Sequence, residues 1–340
     1  MRCTNNRTDN RQDIRKRAAK RHTALFLAAI LAGSLTGCGK EPDPNAYRIY
    51  ESSYHYNVTA AAPLEETPLF AERFCVPPKN DVGTKKIDTS LALAGGVFNN
   101  TTKKTVYAQS IFEKMYPAST TKILTAYLAV KYGKLNEVYT VSENACRQSY
   151  DSSVAGLSPG DQIALKDLLY GLMLASGNDA AVAIAEGIDG DEETFVKRMN
   201  EEAKKLGATG SHFVTSNGLH DEEHYTTVYD MYLIFSAALA DKDFRKVLET
   251  VEYTAHYSDA SGMPKETVWT TTNGYLTTDY TAPDGITVIG GKTGTTGSAG
   301  YCLVMLSENE KKDQIVSIVF HADYRSTLYQ MMSQIVAKAR

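Results

Sequence analysis

Strand-forming runs lie at both ends of the folded part of this chain, and nearly everything between them carries the apolar period of a helix. Residues 90–99 and 104–109 are β-type runs separated by the polar stretch Asn100-Thr101-Thr102-Lys103, the pattern of a hairpin. At the far end, 286–293, 300–307 and 314–321 are alternating or apolar runs joined by short turns, followed by a helical run over 325–338. Between these lie 123–132, 165–175, 180–187, 192–206 and 228–239, all with apolar residues at helical spacing and few β runs among them. Strands at both ends can bury their apolar faces only by joining one sheet assembled from distant pieces. The expected fold class is α/β of the α+β kind: an antiparallel sheet of about five strands flanked by helices. The sheet would come from about 86–110 and 286–340, and an inserted all-helical lobe from about 112–285. A cleft between sheet and lobe is the expected site.

What precedes residue 83 has a different character. Residues 1–37 hold eight Lys/Arg against Asp9 and Asp13, and an uncharged apolar run of 12 residues, 24–35, follows the basic part. That run is too short to cross roughly 30 Å of hydrocarbon as a helix, but it has the length of a signal-peptide core. Leu35-Thr36-Gly37-Cys38 resembles the lipobox of bacterial lipoproteins, which implies cleavage before Cys38, a lipid on that cysteine, and a protein held to the membrane on its extracytoplasmic side. Residues 38–82, with prolines at 42, 44, 63, 68, 77 and 78 and no sustained apolar period, read as a tether. Outside the leader the balance is 28 basic to 38 acidic residues, which argues against nucleic acid as a partner. Cys75, Cys146 and Cys302 fit no metal-binding or redox spacing and read as packing residues, with no pairing assignable.

Three short motifs follow one another along the body: Ser119-Thr120-Thr121-Lys122, Ser176-Gly177-Asn178 and Lys292-Thr293-Gly294. Ser119 opens a helical run after Pro117-Ala118, and an offset of three puts Lys122 on the same helix face. A serine hydroxyl becomes a nucleophile when a base lies within hydrogen-bond reach. A lysine serves as that base only where a dry, cationic neighbourhood lowers its pKa.

With the surrounding stretches 117–122, 167–181, 217–219, 291–294 and 299–303, the chain from about residue 83 to 340 resembles the low-molecular-weight penicillin-binding proteins. Within that β-lactamase/transpeptidase-like superfamily it is most similar to the serine-type D-alanyl-D-alanine carboxypeptidases. The resemblance implies removal of the terminal D-alanine from peptidoglycan stem peptides, covalent binding of β-lactams, a role in cell-wall synthesis and remodelling, and no metal or other cofactor. It implies Ser119 as nucleophile, Lys122 as its base and Ser176 as proton relay. Asn178 would hold Lys122 and the substrate amide, and Lys292 and Thr293, on the strand that edges the cleft and carries Gly294, would supply positive potential and a hydroxyl for the substrate carboxylate. The N–H groups of Ser119 and Thr295 would form the oxyanion hole. The chain ends 46 residues after Gly294, enough for two strands and a helix, so the expected body is the catalytic domain alone with its anchor at the N-terminus.

Other motifs compete. Gly156-Leu157-Ser158-Pro159-Gly160 fits G-x-S-x-G, but Pro159 has no N–H to give an oxyanion and Ser158 reads as a turn residue. His220-Asp221-Glu222-Glu223-His224 fits an inverted zinc pattern that requires a helix; Gly218 before it and Tyr225-Thr226-Thr227 after it point to a solvated loop. Ser142-Glu143-Asn144 repeats S-x-N without a leucine-rich helix beside it. Two rival functions remain at this stage. One is a serine β-lactamase; against it, no asparagine after Ser119 has a glutamate four residues earlier, as the E-x-x-L-N loop of class A enzymes would need. The other is a non-catalytic penicillin-sensing or binding lipoprotein, which would have no use for a serine, a lysine and a second serine set as a relay.

Overall fold

The computed structural model describes residues 70–340, and within it the two ends of the body meet in one sheet. The chain enters through a hairpin of β1 (Ala94–Asn99) and β2 (Lys104–Gln109). Its turn is held by Asn99 Oδ1, which accepts the Thr101 and Thr102 N–H groups at 3.1 and 2.8 Å. A long insert follows. It contains α1 (Lys122–Tyr132), β3 (Val138–Thr140), β4 (Gln162–Ala164), α2 (Leu165–Met173), α3 (Asn178–Asp189), α4 (Glu192–Lys205), α5 (Val228–Ala238), α6 (Lys242–Glu249), β5 (Glu252–Ser258) and β6 (Pro264–Thr270). The chain then returns as β7 (Ile286–Thr296), β8 (Gly300–Asn309), β9 (Gln314–Ala322) and α7 (Arg325–Val336). All pairings are antiparallel, in the order β2-β1-β9-β8-β7, so β7 is an edge strand facing the insert.

The sheet is buried on both faces, and the period of a strand divides the labour. In β8, Leu303 and Met305 pack with Leu328, Met332 and Ile335 of α7, whereas Val304 and Leu306 join the core shared with α1 and α5. That double burial is why β8 reads as a nearly continuous apolar run. In the insert α1 lies at the centre, buried over most of its circumference, and its neighbours end where local chemistry ends them. Helix α3 stops at Gly190 in the left-handed region (φ +86°), and α4 starts on Asp191, whose carboxylate accepts the Thr194 N–H.

Two expectations need correction. The insert is not all-helical: β3, β4, β5 and β6 form a second, four-stranded sheet. The β5–β6 hairpin escapes a hydrophobicity reading because its outward residues Glu252, Thr254, His256 and Glu266 are polar, while few side chains, Ala255, Tyr257 and Trp269 among them, are buried. The folded body also begins before residue 83. Phe74 and Cys75 are buried in the main core, the Cys75 N–H donates to the Tyr232 hydroxyl at 2.8 Å, and Val82 bridges to Ala108. The signal segment, Cys38 and residues 38–69 of the expected tether lie outside the described residues. Cys75, Cys146 and Cys302 are all unpaired, Cys75 and Cys302 buried as packing residues.

Candidate active site

Each of the three motifs arrives on a different kind of element. Ser119 lies in a single 3-10 turn, Ala118–Thr121, that runs directly into α1, whose first residue is Lys122. Ser176 and Gly177 form the short bend between α2 and α3, and Asn178 is the first residue of α3. Lys292, Thr293, Gly294 and Thr295 lie along β7. Both serine turns are held in unusual backbone: Ala118 has φ +47° and Ser176 φ +58°, conformations that non-glycine residues keep only where surrounding structure imposes them.

Gly294 explains how strand and nucleophile come so close. A Cβ on it would stand 2.9 Å from the Ser119 nitrogen and 3.0 Å from both the Pro117 oxygen and the Thr120 nitrogen. Backbone packs on backbone here, and only glycine leaves the room.

Lys122 is fully buried and its Nζ has three oxygen neighbours: Ser119 Oγ at 2.9 Å, Asn178 Oδ1 at 2.7 Å and the Asn217 carbonyl at 2.7 Å. Desolvation, aided by the nearby charge of Lys292 and opposed by Asp179, holds its pKa well below the ordinary lysine value. A neutral amine has two N–H bonds and one lone pair. The amide and backbone oxygens can only accept, so they take the two N–H bonds, and the lone pair is left facing the one neighbour that can donate, the Ser119 hydroxyl.

Lys292 is also fully buried, and desolvation brings its pKa down to about 7. Its Nζ donates to Ser176 Oγ at 2.9 Å and to the Thr293 carbonyl at 2.8 Å. The Ser176 hydroxyl therefore leans on Lys292, while Lys122 holds Ser119, Asn178 and Asn217. Lys292 lies beneath the cleft wall rather than in the wall itself.

The cleft has a volume of about 340 Å³, and Ser119, Ser176, Thr293, Gly294 and Thr295 are among its lining residues. Its cationic side chain is Arg325, at the start of α7, which sequence reasoning did not single out. Arg325 donates to Asp279 at 2.8 Å and lies over the Tyr280 and Tyr329 rings at 5.7 and 5.9 Å. Thr272, whose hydroxyl bonds that of Thr293, and Ser153 add to the polar lining. The Asn217 carbonyl was missed as a partner of Lys122 because a backbone oxygen leaves no side-chain signature. Arg325 was missed because nothing local marks it.

Asp179 fixes the second motif from below. One of its oxygens accepts the Ala155 and Ala180 N–H groups at 2.7 and 2.8 Å, the other those of Gly156 and Leu157, both at 3.0 Å. The loop carrying Ser153 is thereby tied to the start of α3.

The competing motifs fall elsewhere. Ser158 is a turn residue: its N–H donates to Asp161, and Gly156 and Gly160 both have positive φ. Ser142 bonds Glu186 and the Ala145 N–H in a turn of its own. The stretch from His220 to His224 is not helical, and its two histidines part company: His220 is exposed, edge-on to Tyr116, whereas His224 is buried rather than solvated.

A model of the family described as D-alanyl-D-alanine carboxypeptidase, Peptidase S11, matches residues 84–324. D-alanyl-D-alanine carboxypeptidase DacF of Bacillus subtilis is 36% identical over 225 residues, covering 65% of this chain and 55% of that protein. DacC of Escherichia coli is 36% identical over 219 residues, covering 62% and 51%. This chain thus spans about half the length of these two curated relatives. In the crystal structure of the Streptomyces K15 DD-transpeptidase a similar fold covers 73% of this chain and 96% of that one, with a TM-score of 0.68 and 29% identity.

Proposed function

Because the chain belongs to the D-alanyl-D-alanine carboxypeptidase family, we propose that it removes the terminal D-alanine from peptidoglycan stem peptides through an acyl-enzyme on Ser119. The observation that carries this reading is the arrangement around Lys122: a buried amine, its pKa lowered by desolvation, with two oxygens that can only accept and the Ser119 hydroxyl as its third neighbour.

That geometry supports the steps that the family resemblance implies. Ser119 Oγ gives its proton to Lys122 Nζ and bonds to the carbonyl carbon of the penultimate D-alanine. The oxygen of that carbonyl becomes an oxyanion beside the Ser119 N–H and the β7 edge at Thr295, where each donor is worth about 10²–10³ in rate. The C–N bond then breaks, and the leaving amine takes the proton that Lys122 received from Ser119; the family resemblance implies the Ser176 hydroxyl as its relay, and Lys292 donates to that hydroxyl. Water next attacks the ester, Lys122 accepts its proton, and Ser119 Oγ leaves as the hydroxyl. The carboxylate of the departing D-alanine meets Arg325 and the Thr293 hydroxyl, the cation and donor that line the cleft. Buried Lys292 contributes orientation and positive potential rather than a direct contact. β-Lactams would acylate Ser119 by the same route.

Retention on the outer face of the bacterial cell membrane through a lipid on Cys38 belongs to the same proposal; the basic leader, the 12-residue apolar run and Leu35-Thr36-Gly37-Cys38 support it. Cys38→Ala is expected to leave the protein out of the detergent-extracted membrane fraction or with its leader uncleaved. Normal membrane retention of the processed variant would contradict it.

Labelling with a fluorescent penicillin tests the catalytic reading. The wild type is expected to carry a covalent label that Ser119→Ala loses while keeping its circular dichroism spectrum. An unlabelled wild type, or a labelled Ser119→Ala, would contradict it.

A further inference from the structure

The histidine pair that mimics a zinc motif has a different use. The segment 211–226 leaves the body as a loop whose neck is closed by His212 and Tyr225, each N–H donating to the other's carbonyl at 2.8 Å. Next to that neck, Thr226 pairs with Met115, on the approach to the nucleophile turn. His224 turns inward from the neck. Its Nδ1 accepts the Val214 N–H at 3.1 Å and the Thr215 N–H at 3.3 Å, so that nitrogen carries no proton. The proton is therefore on Nε2, which donates to Thr121 Oγ1 at 2.9 Å.

One ring thus spans two chain segments that must be in register for the chemistry. Thr121 immediately precedes Lys122, and the Val214–Thr215 segment leads through Ser216 to the Asn217 carbonyl that holds Lys122 Nζ. The space admits little adjustment, since a Cβ on Gly218 would stand 2.0 Å from the Ala118 carbonyl and 2.8 Å from Thr121 Oγ1. Glu192 grips the same loop from α4, accepting the Ser216 N–H at 2.9 Å and its hydroxyl at 2.6 Å.

We propose that His224 is a positioning residue for the acylation base: as the Nε2–H tautomer it locks the 214–218 loop to the nucleophile turn and so keeps the Asn217 carbonyl against Lys122 and water away from it. The inference rests on the reading of Ser119 and Lys122 given above. Burial, against the pull of Asp221 and with the charges of His212, His220 and Lys122, brings the imidazole pKa down to about 4, so the ring is neutral where the chemistry runs.

Three variants separate the ring's two bonds. His224→Phe removes both, His224→Asn keeps an acceptor near the place of Nδ1, and His224→Gln keeps a donor near the place of Nε2 but loses the acceptor. The readout is the rate of covalent labelling by fluorescent penicillin against pH, together with thermal unfolding. In folded His224→Phe the rate at neutral pH is expected to fall by about 10²-fold, the scale of an ångström of misplacement. The pH at which the rate is half-maximal should move upward, because water reaching Lys122 relieves the desolvation that lowers its pKa, with Lys292 and Asp179 still facing it. His224→Asn should keep a midpoint near that of the wild type, and His224→Gln should follow His224→Phe. If His224→Phe does not fold, His224→Gln decides. An unchanged midpoint in the folded variant that lacks the acceptor, whether or not the protein is less stable, would overturn the proposal, since a merely structural histidine would cost stability without moving it. A wild type that takes no label would overturn the functional reading itself, a result distinct from wild type and variants labelling alike.

Discussion

The three oxygen neighbours of Lys122 Nζ set what the residue can do and when. Because desolvation lowers its pKa, the amine loses its proton at a pH where an exposed lysine would keep it, and acylation is expected to rise with pH through that lowered value and then level off. Lys122→Arg keeps the charge but cannot shed it. Its labelling by penicillin is expected to fall by about 10²–10⁴-fold, with no rising limb between pH 5 and 9 and with the fold intact. Labelling within a few-fold of the wild type would remove Lys122 from the mechanism. At this scale the sequence was informative where side chains form a motif and silent where they do not. Ser119, Lys122, Ser176, Asn178 and the stretch from Lys292 to Gly294 are visible as three ordered motifs, and the structure sets Ser119, Ser176, Thr293 and Gly294 in the lining of one cleft with Lys122 and Lys292 bonded to its two serines. Arg325, the Asn217 carbonyl and the inward turn of His224 come from tertiary placement, which no local pattern encodes. Lys292 was visible as a residue but not as a buried one.

At the level of elements, precision at the site depends on turns rather than on the regular structure that carries them. The bend between α2 and α3 holds Ser176 at positive φ, and the carboxylate of Asp179 secures it by accepting four backbone N–H groups. An asparagine there would set an NH₂ group against two of those donors. Hydrogen bonds to a buried charge are the strong kind, so Asp179→Asn is expected to destabilise the protein by about 3 kcal/mol in denaturant unfolding. It should also slow acylation, because the loop bearing Ser153 and the end of α3 bearing Asn178 lose their common anchor. A loss below about 0.5 kcal/mol would show that the carboxylate does not secure this bend. Element existence was legible where the apolar period was strong: β2 matches its expected span, and α1, α4 and α5 lie within a residue of theirs. The β5–β6 hairpin was not, since a largely solvent-facing hairpin carries few buried side chains to set a period, and α6 was passed over although its Phe244, Val247 and Leu248 fall at i, i+3 and i+4, because eight residues hold only that one apolar turn.

For the molecule as a whole, the sheet's assembly from both ends of the body explains the site's position. β7 reaches the nucleophile only after the entire insert has been laid down, so the insert's α1 and the returning edge strand meet at the sheet's open side. The alternation of strand and helix runs made this legible in advance; the burial of Phe74 and Cys75 did not follow from it, because proline-rich sequence on either side masks two residues that pack. The central claim is that Ser119 forms an acyl-enzyme suited to release D-alanine. The most direct measurement pairs two substrates on the same protein, counting D-alanine freed from a peptide ending in D-Ala-D-Ala and following the lifetime of the benzylpenicillin adduct. The account expects repeated release of D-alanine, lost in Ser119→Ala, and a penicilloyl adduct that persists for minutes to hours. Rapid, many-turnover hydrolysis of benzylpenicillin with no D-alanine released would contradict it and make the protein a β-lactamase.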